Sequence, residues 1–280
     1  MRRTFIHALL GLLFIPSLAA AEARTAYGGQ VVERPDLQRE FEARGTTGTM
    51  VVKQSGAIDR TVIVGARRAN ARFLPSSTFK IPNSLIAIDA GIASGAEQRY
   101  PGPNPNYLVA GSPFLSATCE GDLTLRTAFR NSCIPIYQQI ARQVGVEAYR
   151  AGVRAMHYGN RQVDTAPVDS FWLQGAFAIS AREQVHFLER LRRGELPVSR
   201  YAMSEVRDMM VVDDQSGFVL RAKTGYVFST TPARGWWVGW VERPGSVSTF
   251  ALNLDITTSA HAAARVEIGT RILTALDAFP

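Results

Sequence analysis

The sequence predicts an α+β fold: one antiparallel sheet formed by both termini and flanked by helices, with an all-helical lobe inserted in the middle. Three observations predict it. Two short β-rich runs precede residue 66, the stretch from 77 to about 200 leans helical, and three further β-rich runs follow residue 217 before a last helical segment. Of 280 residues, 46% are hydrophobic and 20% charged, with 23 Gly and 14 Pro, which excludes collagen, coiled coil and disorder.

The chain opens with Met1-Arg2-Arg3, an apolar run from Phe5 to Leu18 and then Ala19-Ala20-Ala21-Glu22-Ala23, the three regions of a cleavable secretory signal. Interrupted by Pro16, the apolar run is shorter than the roughly 20 residues a bilayer requires. Residues 1–21 are therefore expected to be a signal peptide and 22–280 a single domain, with a sheet lobe at about 24–76 and 201–280 and a helical lobe at about 77–200. The expected location is the periplasm, with no membrane attachment after cleavage.

Residues 35–44 read as a short helix, and 47–54 with 60–65 as a hairpin around Ser55-Gly56. Within the helical region the pattern is strongest at 134–144 and 182–191, and loops rich in Pro, Gly and Asn, such as 100–113, interrupt it. Strands are expected at 218–224, 235–242 and 247–255. Arg243-Pro244-Gly245-Ser246 joins the last two, with Pro and Gly where a type II turn places them. A final helix is expected at 262–276. There is no internal repeat and no flexible linker, so the seam between the lobes is the expected place for a site.

The formal charge is +7, and loss of Arg2 and Arg3 with the signal leaves +5. The densest basic run, Arg190 to Arg193, falls where Leu188 and Leu191 mark an amphipathic helix, so it reads as a solvated face. No nucleic-acid partner is expected, although mild positive charge suits small anionic substrates. His157, His186 and His261 are far apart and lack metal-ligand spacing, so no metal is expected. An oxidising compartment makes Cys119 and Cys133 candidates for a disulfide; a buried free thiol at Cys133, inside an apolar helical stretch, is the alternative.

The 31 basic residues comprise 28 Arg and only three Lys, at 53, 80 and 223. Guanidinium keeps its proton at any accessible pH, whereas a buried amine can lose it and act as a base. Two of the three lysines stand in motifs that use this. In Ser77-Thr78-Phe79-Lys80 the serine and lysine share a helix face, about 5–6 Å apart at Cβ, so the amine can activate the hydroxyl. Ser77 follows Pro75-Ser76 at a helix N-terminus, where free N–H groups favour developing negative charge, and Pro82 predicts an irregular or tightened first turn. Taken alone, the pair could be a helix cap and a surface lysine.

Lys223-Thr224-Gly225 ends a predicted strand, where an ammonium and a hydroxyl can meet an anionic substrate and a glycine lets it approach the backbone. Ser132-Cys133-Ile134 starts a helix, and its hydroxyl could relay a proton between the nucleophile and a leaving nitrogen. Lys53, on a predicted N-terminal strand, has no assignable role.

In this order, and with Tyr158-Gly159-Asn160, Phe171-Trp172-Leu173-Gln174-Gly175, Gly235-Trp236-Trp237-Val238-Gly239-Trp240 and Arg265, the chain resembles the penicillin-recognising serine hydrolases, and among them the class D, oxacillinase-type β-lactamases. One departure is Ile134, where the family usually has Val. The resemblance implies a β-lactamase/transpeptidase-like fold and hydrolysis of small-molecule β-lactams through an acyl-enzyme on Ser77. It implies no cofactor beyond the carbon dioxide or bicarbonate that would convert Lys80 to N6-carboxylysine, the general base, held by the Trp172 indole N–H.

It further implies an oxyanion site at the backbone N–H groups of Ser77 and Tyr226 and proton transfer to the lactam nitrogen by Ser132 and Lys223. Substrate contacts would come from Thr224, Gly225 and Arg265, with Ile134 and Leu173 in the apolar wall. The bland alternatives are a core aromatic at Trp172 and a surface cation at Arg265; Tyr158 to Asn160 reads as a site-wall turn. The competing functions are a β-lactam sensor that is acylated without turnover and a DD-peptidase using Lys80 as a free amine.

Overall fold

The structure, a computed structural model, describes residues 29–57, 59–102, 108–109, 112–113 and 119–280; the signal peptide expected at 1–21 lies outside them. The first elements are β1 (Gln30–Glu33), a 3₁₀ turn at Pro35–Gln38, α1 (Arg39–Glu42), β2 (Gly48–Gly56), β3 (Arg60–Val64), α2 (Ala66–Ala69) and β4 (Arg72–Phe73). A 3₁₀ turn at Ser76–Phe79 leads into α3 (Lys80–Asp89), followed by the short strands β5 (Arg99–Tyr100), β6 (Leu108–Val109), β7 (Ser112–Pro113) and β8 (Leu123–Thr124). Next come α4 (Leu125–Arg130), α5 (Ile134–Ala155), β9 (Ile179–Ser180), α6 (Ala181–Arg193) and α7 (Arg200–Met209). The chain closes with β10 (Val211–Gln215), β11 (Phe218–Val227), β12 (Ala233–Arg243), β13 (Ser246–Ile256) and α8 (Ser259–Ala275).

Strands from both ends form one seven-stranded sheet in the order β1-β3-β2-β13-β12-β11-β10. The two ends of the chain meet where β13 pairs antiparallel with β2, Phe250 opposite Val52. One pair departs from the expected antiparallel pattern: β1 runs parallel to β3, Val32 opposite Val62. Four residues, Gln30-Val31-Val32-Glu33, are too few for alternation to declare a strand. β10 and α7 were also unannounced. Val211-Val212-Asp213-Asp214-Gln215 is a half-exposed edge whose ladder with β11 is irregular between Val211 and Asp213.

The sheet is covered on both faces. Phe250, Leu252 and Leu254 of β13 pack with Trp237 and with Ile268 and Ile272 of α8, while Ala251, Trp236, Val238 and Trp240 face the inserted helices. This is why the C-terminal strands read as near-continuous apolar runs. Helix boundaries follow local chemistry. The pattern expected to end at Val144 does end there: Gly145 is non-helical (φ 79°, ψ 160°), and a second helical segment runs on to Ala155. The helix expected at 35–44 is a 3₁₀ turn with Pro35 at its start, followed by the four residues of α1. α6 opens with a reciprocal cap, Glu183 N–H to Ser180 Oγ at 3.2 Å and Ser180 N–H to the Glu183 carboxylate at 2.9 Å.

The densest basic run has intramolecular partners. Arg192 and Arg193 pair with buried Glu189 at 3.1 and 2.9 Å, and Arg190 donates to Met156 O at 2.9 Å. The third lysine is also buried: Lys53 is 2% exposed and pairs with Asp59. Among the described residues no helix is long and apolar enough to cross a membrane.

α8 approaches the sheet most closely at Gly269, where an added Cβ would lie 2.3 Å from the Trp237 ring. Gly269→Ala should therefore destabilise the protein by about 1–3 kcal/mol despite the better helix propensity of Ala. Urea unfolding checks this, and an unchanged or higher midpoint would contradict it.

Candidate active site

The site lies in the seam, and its centre is the tight turn before α3. Ser76 has a left-handed backbone (φ 48°); its N–H bonds Trp172 O at 2.9 Å and its hydroxyl donates to Tyr226 O at 2.6 Å. Thr78 Oγ1 donates to Pro75 O at 2.8 Å and accepts from Gln184 Nε2 at 3.0 Å. The turn is thus tied to the Trp172 segment, to β11 and to α6. The tightened first turn expected from Pro82 is present as 3₁₀ geometry over Ser76–Phe79. Ser76 carried no role in the sequence; only its place between Pro75 and Ser77 hinted at one.

Lys80, 1% exposed, points back along the helix and donates through Nζ to Ser77 Oγ at 3.3 Å. Nζ also lies 4.8 Å from the Tyr137 ring centroid. Phe79 and Trp172 stack with centroids 5.6 Å apart, and with Ile134 and Leu173 they are all at most 3% exposed. Burial first, and the neighbouring charge of Lys223 second, push the Lys80 amine well below its usual range. Trp172 is therefore a core aromatic as well as a neighbour of the site.

Ser132 sits between α4 and α5 with φ 58° and accepts a hydrogen bond from Lys223 Nζ. Burial, with the Arg265 charge second, brings the Lys223 amine down to about 7. At Gly225 an added Cβ would come within 3.0 Å of Pro75 O and 3.2 Å of Thr78 Cγ2. A side chain there would be tight where β11 crosses the Ser77 turn.

Arg265 reaches the cleft from α8 because Gly235 opposite it has no side chain; a Cβ there would lie 3.3 Å from Arg265 Cδ. The Arg265 guanidinium donates to Ala262 O, its buried Nε has no partner among the described residues, and burial lowers its pKa. It is a cation poised for an anion.

Ser77, Ser132, Ile134, Thr224, Gly225, Tyr226 and Arg265 line one cleft of about 130 Å³ with Ser76 and Phe228. Leu173 lies behind it, its carbonyl accepting from Ser229 Oγ at 2.7 Å. A larger cavity, about 410 Å³, shares Lys223 and Thr224 but contains no nucleophile. The Tyr158 to Asn160 turn supports the wall: Asn160 donates to Ala176 O at 2.6 Å and accepts from Ala178 N–H at 3.0 Å. Cys119 and Cys133 form the disulfide that the sequence left open. Among the described residues no group of three His, Cys, Asp or Glu could hold a metal ion.

Comparison with known proteins places this geometry in a family. Residues 43–274 match the penicillin binding protein transpeptidase domain. The chain is 40% identical over 207 residues to β-lactamase OXA-48 of Klebsiella pneumoniae, 74% of this chain and 75% of that protein. It is 37% identical over 225 residues to β-lactamase OXA-2 of Salmonella typhimurium, 80% of this chain and 78% of that one. Among solved structures, the class D β-lactamase YbXI from Nostoc superposes with a TM-score of 0.81 at 36% identity, covering 87% of this chain and 99% of that one. The class D β-lactamase FUS-1 (OXA-85) of Fusobacterium nucleatum subsp. polymorphum gives 0.82 at 32% identity, covering 89% and 100%.

The chain belongs to the class D β-lactamases. It is a serine β-lactamase, an enzyme class that hydrolyses the β-lactam amide without a metal, and its fold is the α+β fold of those structures.

Burying two class D lysines has a measurable cost. The unfolded chain holds protons on Lys80 and Lys223 up to about pH 10.5, whereas folded Lys223 releases its proton near 7. The unfolded state therefore binds more protons between these values, and stability should rise with pH across that window. Lys223→Met should raise the urea midpoint most at pH 6.5 and least near pH 10. A gain that does not vary with pH would contradict this assignment.

Proposed function

We propose that Ser77 is the nucleophile and Lys80 the general base of an acyl-enzyme mechanism. The observation that carries the reading is the desolvated Lys80 amine, 3.3 Å from Ser77 Oγ, inside an apolar wall. A neutral amine in such a wall suits carboxylation, and the Trp172 indole N–H would hold the product. Formed from carbon dioxide with loss of one N–H proton, N6-carboxylysine would supply an oxygen base for both half-reactions. Ser77 gives up its proton toward Lys80 as its oxygen attacks the lactam carbonyl.

The backbone N–H groups of Ser77 and Tyr226 then face the developing oxyanion. Ser132, supplied by Lys223, hands a proton to the lactam nitrogen as the C–N bond breaks. Thr224 and Arg265 hold the substrate carboxylate beside Gly225, while Ile134 and Leu173 belong to the apolar wall. Water activated at Lys80 releases the acyl group. In keeping with this role, residues 1–21 would be the export signal, 22–280 one domain, and the periplasm the working compartment.

Turnover of a chromogenic cephalosporin tests the reading. Many product molecules per enzyme are expected, Ser77→Ala should abolish them, and bicarbonate should restore activity lost after acid treatment. A single stoichiometric burst with a stable Ser77 adduct would instead identify a β-lactam sensor. Recovery indifferent to bicarbonate would remove carboxylation from the mechanism.

A further inference from the structure

Ser132 occupies a backbone position suited to glycine. α4 closes with Ser132 N–H bonded to Phe129 O at 3.1 Å and Cys133 N–H bonded to Ala128 O at 2.9 Å. This pair of bonds ends a helix on one left-handed residue, most often Gly, because a Cβ is strained there. Ser132 nevertheless adopts φ 58°, and in that conformation its hydroxyl accepts a hydrogen bond from Lys223 Nζ. The cap bonds are backbone bonds and would form equally with Gly. They give no preference to a strained serine.

The next residue supplies a constraint that they lack. Cys133 lies between two residues of the cleft, Ser132 and Ile134, and is bonded to Cys119, 14 positions earlier. Both half-cystines are at most 2% exposed. We propose that the Cys119–Cys133 disulfide is a positioning device for Ser132, clamping the left-handed turn so that the hydroxyl stays against Lys223. The inference rests on the proposed role of Ser132 as proton carrier.

Forming the bond transfers two electrons and two protons from the cysteine thiols to a disulfide-bearing oxidant, which leaves as a dithiol. Turnover then depends on the chain having been oxidised. Once closed, the buried bond is shielded from thiols, and the geometry it sets persists.

The test compares Cys119→Ala, which leaves Cys133 as a thiol, with Ser132→Ala and the unaltered enzyme at 15 °C, after circular dichroism has shown each to be folded. For Cys119→Ala a kcat lowered on the order of ten- to a hundredfold is expected, with KM changed less, as for a misplaced catalytic group. The limb of the pH–rate profile near 7 should shift as well, since the Ser132 to Lys223 contact is what the bond holds. A disulfide that only stabilises would lower the melting temperature and leave kcat and the pH profile unaltered; that result overturns the inference.

Should Cys119→Ala fail to fold, the unaltered enzyme is opened with a dithiol in mild urea and returned to buffer. Two titratable thiols with lost turnover that reoxidation restores support the clamp, and two thiols with full turnover overturn it. If Ser132→Ala turns over normally, the proton-carrier reading fails and the clamp with it. If Ser132→Ala is inactive while Cys119→Ala is normal, only the clamp fails.

Discussion

An amine taken out of water with no carboxylate beside it either gives up its proton or destabilises whatever encloses it, and Lys80 is such an amine. Its neighbours are Ser77 Oγ, the Tyr137 ring and an apolar wall, and the nearest charge to act on it is another cation, Lys223. The rest of the structure can be understood as what this burial requires. The aromatic cluster around Phe79, with Phe171, Trp172 and Phe177 at centroid distances of 5.1 to 5.6 Å, gives the wall a rigidity that a looser aliphatic packing would lack. The sheet, buried on both faces, supplies the stability against which a destabilising lysine can be set.

Strain is concentrated in the same place. Ser76 and Ser132, two residues of the cleft that Ser77 lines, both hold left-handed backbone, a conformation that persists only where surroundings over-determine it. At Ser76 the surroundings are the Trp172 carbonyl and the Tyr226 carbonyl, so the strained turn joins the helical lobe to β11. The two lobes are fixed relative to one another at the residue preceding Ser77. Gly225 suits the arrangement, since a Cβ there would lie only 3.0 Å from Pro75 O.

The sequence made the chemistry legible and concealed its supports. Lys80 and Lys223 stood out as candidates because they are two lysines in a chain that otherwise uses arginine, and Ser77, Ser132 and Arg265 because of the motifs they share with them. The terminal strands and α8 were legible because burial on both faces produces long apolar runs. Ser76 could not be found, since its hydroxyl bond to Tyr226 O spans 150 positions and serine before a helix is ordinary. β1, β10 and α7 escaped for a related reason: short or half-exposed elements are decided by tertiary pairing rather than by periodicity. The disulfide was undecidable because two cysteines in a chain read as exported are compatible both with a bridge and with a buried thiol. Lys53 resisted interpretation because its partner, Asp59, gains meaning only once the β2–β3 connection brings it round.

The charge balance of the cleft joins these features to the proposed reaction. Lys80, Lys223 and Arg265 lie close enough that each cation depresses the next, Arg265 lowering Lys223 and Lys223 lowering Lys80, and none of the three forms an ion pair among the described residues. A cleft of this kind carries an excess of positive potential among the described residues. On the proposed reading the Lys80 carbamate answers part of it, and the β-lactam carboxylate is the further counter-ion. Its arrival between Thr224 and Arg265 would relieve the repulsion on Lys223 and raise the proton affinity of that amine, so that Lys223 becomes charged when a proton must be passed through Ser132. Lys80, buried and on that reading carboxylated, would act through a carbamate oxygen and remain the base. The two lysines would thus take opposite tasks, and arginine, which cannot give up its proton, could serve at neither position.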